Sequence, residues 1–530
     1  MLFVVFVGTA LAAGVFAGGR NDGNSTAGSQ GSIAFNKTGY PITNEKVSFT
    51  AAGVFRASRN PDEMPMLKYL AEKTNVSFQW TMYTPDSLNE RKNLMWASGD
   101  YPELITNSAL SVGDVLKYGA QENILIELQD MIPQYMPNFM KVKNTIYPEI
   151  QSVVTLQNGK VYSLPRVNPQ VNETGGGFYI NKTWLAKLGL NVPVTTDDFL
   201  QVLRAFRDND VNGNGNRNDE VPFTWDNSTP MYGISNFMGI FGKAGGSSYT
   251  ELLVENGKVY FPMSEPSFRD CIAYLAQLYK ENLIDPEVFT QDQAAFYAKG
   301  KGRDQIYGSL VTWRTGLVVG DNEKKEDYLI LPPLKFKNVN AEWLKARGWS
   351  IDRSAAGITV KARTPEIILR YMDYLYDSYW GAQAWIGMVG DNVEIKNGGF
   401  SYLPDPPEYS NHSEWQNANI VWLPSFCSRE DMLPIFQTGV GDLQQLEKNA
   451  KYGPYFRDHL FPLFWMTPEE SEKTGPITSD ITTYVRRMIA SWISGEQDVN
   501  ATWSEYLRQL DNMGLKTYIE LHQRVYDGMK

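Results

Sequence analysis

The chain has 530 residues, 42% apolar and 21% charged, which is enough ordinary globular material for more than one core. Its 60 acidic and 49 basic residues leave a formal charge of −11, which repels nucleic acid and anionic membrane surfaces and argues against either as a partner. Only three histidines and two separated cysteines occur, with no HxxxH pair and no GxSxG, GxxxxGK[ST] or GxGxxG stretch, so transition-metal hydrolysis and the common nucleotide folds are disfavoured.

Residues 1–19, MLFVVFVGTALAAGVFAGG, carry an apolar run from Phe3 to Ala17 that is too short for a stable membrane span but suits a secretory leader, which predicts export. No Lys or Arg precedes that run, and Gly18 and Gly19 stand where a lipidated protein would have Cys, so the residues do not support lipidation as written. Residues 20–45 open with a Gly, Ser and Asn tract and read as a flexible linker, either a tether or a tail without a task.

From Lys46 the pattern alternates. VSFTAAGVF reads as a strand, PMLKYLAEKTNV as a helix, VSFQWTMY as a strand, SLNERKNLMWASGD as a helix stopped by Gly99, and YPELITN as a third short strand. This β-α-β-α-β order predicts a mostly parallel sheet flanked by helices, with ligands bound beyond the carboxyl ends of the strands. Arg56, Arg59 and Asn107 fall there. A second α/β block begins with GGGFYINKTWLAKLGL and continues through a helix capped by Thr195 or Thr196 and another in FRDCIAYLAQLYKENLID. GITVKARTPEIILRYMDYLYD repeats the strand-then-helix order, and residues 481–527 read as a long helical tail. Two lobes are therefore expected. Cys271 and Cys427 are expected to be buried thiols, with a disulfide between them left open.

Residues 210–220, DVNGNGNRNDE, concentrate side-chain oxygen. Calcium takes six to eight oxygens, and a loop can supply them from alternating positions around a glycine at the sixth. With Asp210 first, Asn212, Asn214 and Asn216 fall third, fifth and seventh, Gly215 falls sixth, and Asp219 with Glu220 close the cage; Asn216 would offer its carbonyl. The competing reading is a solvated Asn/Gly turn. A structural calcium ion is the cofactor expected.

Seven stretches, in order, carry a resemblance: WASGDYPELI, LKYGAQENILIELQDMIPQYMPN, NGKVYSLP, FYINKTWLAKLGLNVPVTTDDFLQVLRAF, DVNGNGNRNDEVPF, LIDPEVFTQD and WISGEQDVNATWSEYLRQLDNMGL. Together they span nearly the whole chain, which resembles the extracellular solute-binding proteins of ABC importers, in the branch of the alginate-oligosaccharide-binding proteins and LplA-type lipoproteins. The resemblance implies a two-lobed periplasmic-binding-protein-like fold of type II, with a first lobe of residues 46–165 and 336–399 and a second of 166–335 and 400–530. It also implies a calcium-binding loop of pattern DxNGNGxxDE, from which this chain departs by the extra Asn218. An exported protein that passes a carbohydrate, an oligosaccharide above all, to a membrane permease is the implied function.

Sugar rings stack their C–H faces on aromatic rings, and the 13% aromatic content, with 14 Trp and 29 Tyr, fits such a site. The resemblance places a stacking aromatic at Trp313; Trp349 and Trp385 are further candidates, each set against simple core packing. Arg56, Arg59 and Arg166 would suit hydroxyls or uronate carboxylates, against the alternative of a surface charge or packing salt bridge. A secreted glycoside hydrolase and a ligand sensor for a membrane receptor compete with the transport reading.

Overall fold

The computed structural model of the chain describes residues 33–529 apart from 57–58, 170–172, 229, 321–322, 347–348, 397, 410–411 and 439. The expected leader, residues 1–19, and the first part of the linker lie outside the described residues. Two main sheets are built from β1 (Val47–Val54), β2 (Val76–Tyr83), β3 (Leu104–Thr106), β4 (Leu164–Pro169), β5 (Gly177–Asn181), β6 (Val221–Trp225), β7 (Tyr307–Thr312), β8 (Tyr328–Ile330) and β9 (Trp349–Ile358).

The first sheet runs β2-β1-β3-β9-β4. β1 lies parallel to β2 and β3, and β9 runs antiparallel between β3 and β4. The parallel trio follows from its crossovers, the helices Pro65–Thr74 and Leu88–Ser98. Each stops on a residue that tolerates left-handed backbone, Asn75 at φ 59° and Gly99 at φ 71°. Phe49, Leu70, Phe78, Ile358 and Ile368 are among the side chains that fill the core beneath.

The second sheet runs β8-β5-β7-β6, with β5 antiparallel to both neighbours and β6 parallel to β7. Thr195 caps the helix Thr196–Asp208: its hydroxyl accepts from Asp198 N, and the Asp198 carboxylate accepts from Thr195 N. That helix buries Phe199, Leu203 and Phe206 against the sheet. Gly308 on β7 makes the approach possible, since a Cβ there would sit 2.5 Å from the Phe206 ring and 2.9 Å from Trp184.

The structure has the expected two-lobed α/β fold, but both sheets are mixed where the alternation predicts a mostly parallel one, because β9, β5 and β8 join them antiparallel. The expected long helical tail is instead three helices, Pro468–Ile493, Val499–Asn512 and Leu515–Gly528. Glycines at φ 82° (Gly495) and 99° (Gly514) separate them, and their buried faces, including Tyr506 and Leu510, complete the second core. Residues 33–45 pack on the first lobe: Ile42 is fully buried, Ile33 N donates to Thr364 Oγ1 at 3.0 Å, and Arg370 donates to the carbonyls of Asn36 and Gly39. Ile33, Phe35 and Ile42 supply apolar area that a Gly/Ser coil lacks.

Core membership changes along the chain at points that composition does not mark. Trp343 stacks on Tyr452 in the second core at 4.4 Å and 7°, whereas Val421, Leu423 and Phe426 fill the first. Cys271 and Cys427 are free, buried thiols in different clusters, the first in the second-lobe core and the second beside Ile386 and Met432. Among the described residues no helix is long and apolar enough to cross a membrane.

Candidate functional site

The carboxyl ends of the first-lobe strands carry the polar groups expected there. Asn107 follows β3 at φ 49°, a conformation asparagine tolerates, and is almost fully buried. Both ends of its amide are bonded: Nδ2 donates to Val54 O at 2.6 Å, and Oδ1 accepts from Trp422 N at 2.7 Å. Asn107 therefore holds the end of β1 and positions Trp422. Arg59 is similarly employed, donating to Asn419 Oδ1 and, at 3.1 Å, to Glu63 O.

Trp422 organises the remaining residues, and no periodic pattern in NIVWLPS marks it in advance. Its indole meets that of Trp385, on the helix Ser378–Ile386, edge to face at 5.0 Å and 87°. The Arg166 guanidinium, from β4, lies 4.7 Å from the centre of the Trp422 ring and 5.9 Å from that of Trp385; Arg56 lies 5.9 Å from Trp422. Asp352 on β9 pairs with Arg166 at 3.6 Å. Burial lowers the pKa of the Arg166 guanidinium from its ordinary value, Asp352 opposes that, and the charge of Arg56 adds to it. The structure thus brings together Arg56, Arg166 and Trp385. Trp349 opens β9, and its side chain lies outside the described residues.

On the second lobe Trp313 follows β7, half-buried, with the Tyr232 ring 5.7 Å away. Its carbonyl oxygen accepts from Lys448 Nζ at 2.7 Å, Tyr179 Oη at 3.2 Å and Gln445 Nε2 at 3.4 Å. Asp226, just past β6, is fully buried and takes Gln293 Nε2 at 2.9 Å and Tyr297 Oη at 3.1 Å on one oxygen. Asp226 and Lys448 had no signal in the sequence, because their neighbours are 67 and 135 residues distant. A cavity of about 630 Å³ lies elsewhere, between β2 and the helix Pro65–Thr74, and is lined by none of these residues.

The 210–220 loop is folded around its own side chains. Asp210 accepts from Gly213 N and Gly215 N at 2.8 and 2.9 Å, with those glycines at φ 79° and 87°. Asn212 and Asn214 converge on the two oxygens of Asp219 at 3.3 and 2.5 Å. Glu220 Oε1 accepts from Val211 N, while Oε2 is buried without a partner. Burial pushes the Glu220 carboxyl above its ordinary value. The donor types present, three carboxylates, amides and one unmet buried oxygen, are those a hard cation takes, although the Asn212 and Asn214 nitrogens face Asp219 here. Asn218 stays outside the cluster, its N–H donating to Asn216 Oδ1 at 3.2 Å. A second group, Glu255, Glu342 and His459, brings ligand atoms within 4.8 Å of one another, but the Lys243 ammonium already sits 3.0 Å from Glu255.

No family model matches the chain. It is 29% identical over 512 residues to the fructooligosaccharide ABC transporter substrate-binding protein FusA of Streptococcus pneumoniae serotype 4, covering 92% of this chain and 91% of FusA. The structure of S. pneumoniae FusA in complex with kestose superposes with a TM-score of 0.81 at 28% identity, over 91% of this chain and 99% of that one. A FusA EF-hand mutant in complex with fructo-nystose gives 0.80 at 27%, with the same coverage. Over about nine-tenths of its length the chain is similar, in sequence and in fold, to substrate-binding proteins of ABC transporters, which bind their solute and do not transform it.

Proposed function

We propose that the chain captures an oligosaccharide between its two lobes, outside the cell, and delivers it to an ABC permease. The observation that carries this reading is the pair of aromatic surfaces at the strand ends. Trp313 with Tyr232 lies on the second lobe, and Trp385 with Trp422 on the first. Indole faces match the apolar C–H faces of pyranose or furanose rings, and a lobe closure sandwiches the ring while expelling water. Buried Asp226 supplies a fixed acceptor near the Trp313 wall, its orientation set by Gln293 and Tyr297. FusA, of which a complex with kestose is known, supports a sugar chain as the guest.

In this reading the chain crosses from the first lobe to the second near residue 165, returns between Trp343 and β9, and crosses again beyond Ile435, later than the divisions near 335 and 400 that the resemblance implies. The 210–220 loop holds a structural calcium ion through Asp210, Asn212, Asn214, Asn216, Asp219 and Glu220, which pins the end of the helix Thr196–Asp208 to β6. The leader at residues 1–19 directs export.

The test is calorimetric titration of the purified chain with neutral and acidic oligosaccharides, followed by the same titration of Trp313→Ala. Binding of at least one oligosaccharide, lost in the variant while its melting temperature holds, supports the reading. Heat-silent titrations across the panel would reject it.

A further inference from the structure

Two guanidinium groups lie at the Trp422 ring on the first-lobe wall, and only one of them, Arg166, pairs with a carboxylate. Arg166 meets Asp352 only loosely, at 3.6 Å, and its Nη1 is buried with no hydrogen-bond partner among the described residues. The side chain as a whole is 14% exposed, so one edge still reaches the surface. Arg56 is exposed, and among the described residues it has no hydrogen-bond or carboxylate partner, only the Trp422 ring. A guanidinium packed over an indole keeps its N–H donors in its own plane, aimed past the edge of the ring, and two such groups make a fork suited to a planar or tetrahedral oxyanion. Charge is under-compensated here even though the chain carries −11 overall. The second lobe repeats the pattern in Arg314, next to Trp313, which is half-buried with no hydrogen-bond partner among the described residues.

Leaving buried donors of a charged group unmet destabilises a fold, so an arrangement of this kind is more stable when something fills it. Sugar hydroxyls can accept hydrogen bonds but bring no charge. We propose that the oligosaccharide carries an acidic group, a carboxylate or a sulfate, and that Arg56 and Arg166 select for it. The proposal deepens the oligosaccharide reading and rests on it. The negative surface of the chain does not oppose this, because at physiological salt its repulsion is screened over about 8 Å while the guanidinium pair acts at contact.

The experiment compares a short oligogalacturonate with the same oligomer methyl-esterified, which removes the charge and keeps the ring faces, beside a sulfated and a neutral oligosaccharide of matched length. Calorimetry is run on the wild type, Arg56→Gln and Arg166→Gln. Binding of the uronate or the sulfated sugar, falling about tenfold or more on esterification, desulfation or in Arg56→Gln, is the expected result, that being the effect of one charge-assisted hydrogen bond. Arg56 is exposed, so its variant folds even if Arg166→Gln does not. If the chain binds a neutral oligosaccharide as tightly as its acidic counterpart, and both variants keep that ratio, the proposal fails while the oligosaccharide reading stands. If it binds no sugar of either class, both fail together.

Discussion

Lys448 Nζ donates to the Trp313 carbonyl oxygen at 2.7 Å while lying 4.8 Å from the centre of that residue's indole. The helix Val440–Tyr452 grips the turn after β7 with more than this lysine: Gln445 donates to the same carbonyl, and Gln444 Nε2 donates to Thr315 Oγ1 at 2.8 Å. The Trp313 ring is therefore oriented from behind by a helix far away in sequence. Burial, with Arg314 adding to it, lowers the Lys448 pKa well below the ordinary 10.5. A folded pKa below the unfolded one means that the unfolded chain binds the extra proton, so this group's penalty is largest at low pH and fades as pH rises toward 10.5. Lys448→Met should flatten that rise relative to wild type in melting curves taken between pH 7 and 10, and should weaken sugar binding by freeing Trp313. Parallel pH profiles of the two proteins would show that the amine stays charged in the fold.

Asp210→Ala should lower the melting temperature in calcium and leave it insensitive to EDTA. A bound ion at a hundredfold excess over its dissociation constant contributes about 2.7 kcal/mol, so the wild type should lose roughly that amount on chelation. Differential scanning calorimetry of both proteins with and without EDTA reads the effect. A wild-type melt unmoved by EDTA would exclude calcium from the loop.

Asp373 accepts from Phe139 N at 2.9 Å and Asn138 N at 3.2 Å, at the start of a short helix. Burial nevertheless raises its pKa from 3.8 to about 7. The folded state then holds a proton that the unfolded state releases, so this contribution is complete below pH 3.8 and lost as pH rises through about 7. Asp373→Asn should remove a stability change on the order of 4 kcal/mol across that window, measured by urea unfolding at stepped pH.

Phe206→Ala should destabilise the second lobe by about 3–5 kcal/mol, the range for deleting a fully buried aromatic ring. The ring stands edge to face with Trp184 at 5.2 Å and fills the space that Gly308 leaves, so the cavity cannot close without moving β7. Denaturant midpoints would report the loss.

The alternating elements of both lobes, the Thr195 cap and the Gly99 stop are written locally, in hydrophobic period and capping chemistry. They were legible for that reason. Trp313 and Arg166 could be nominated from their places beside strands, but their roles could not: whether an arginine meets solvent or a tryptophan depends on a helix more than two hundred residues later. Asn107 illustrates the converse. Its position past β3 pointed to a ligand, whereas the fold uses both ends of its amide to tie Val54 to Trp422. Trp422 itself sits in a segment without periodicity, and only the tertiary fold sets it against Trp385.

Tyr506 donates to the Met263 carbonyl at 3.1 Å, and Leu510 and Tyr518 seal the same core. That half of the molecule therefore cannot close until segments far beyond its sheet in sequence have been made, so topology delays its compaction while the chain is being synthesised.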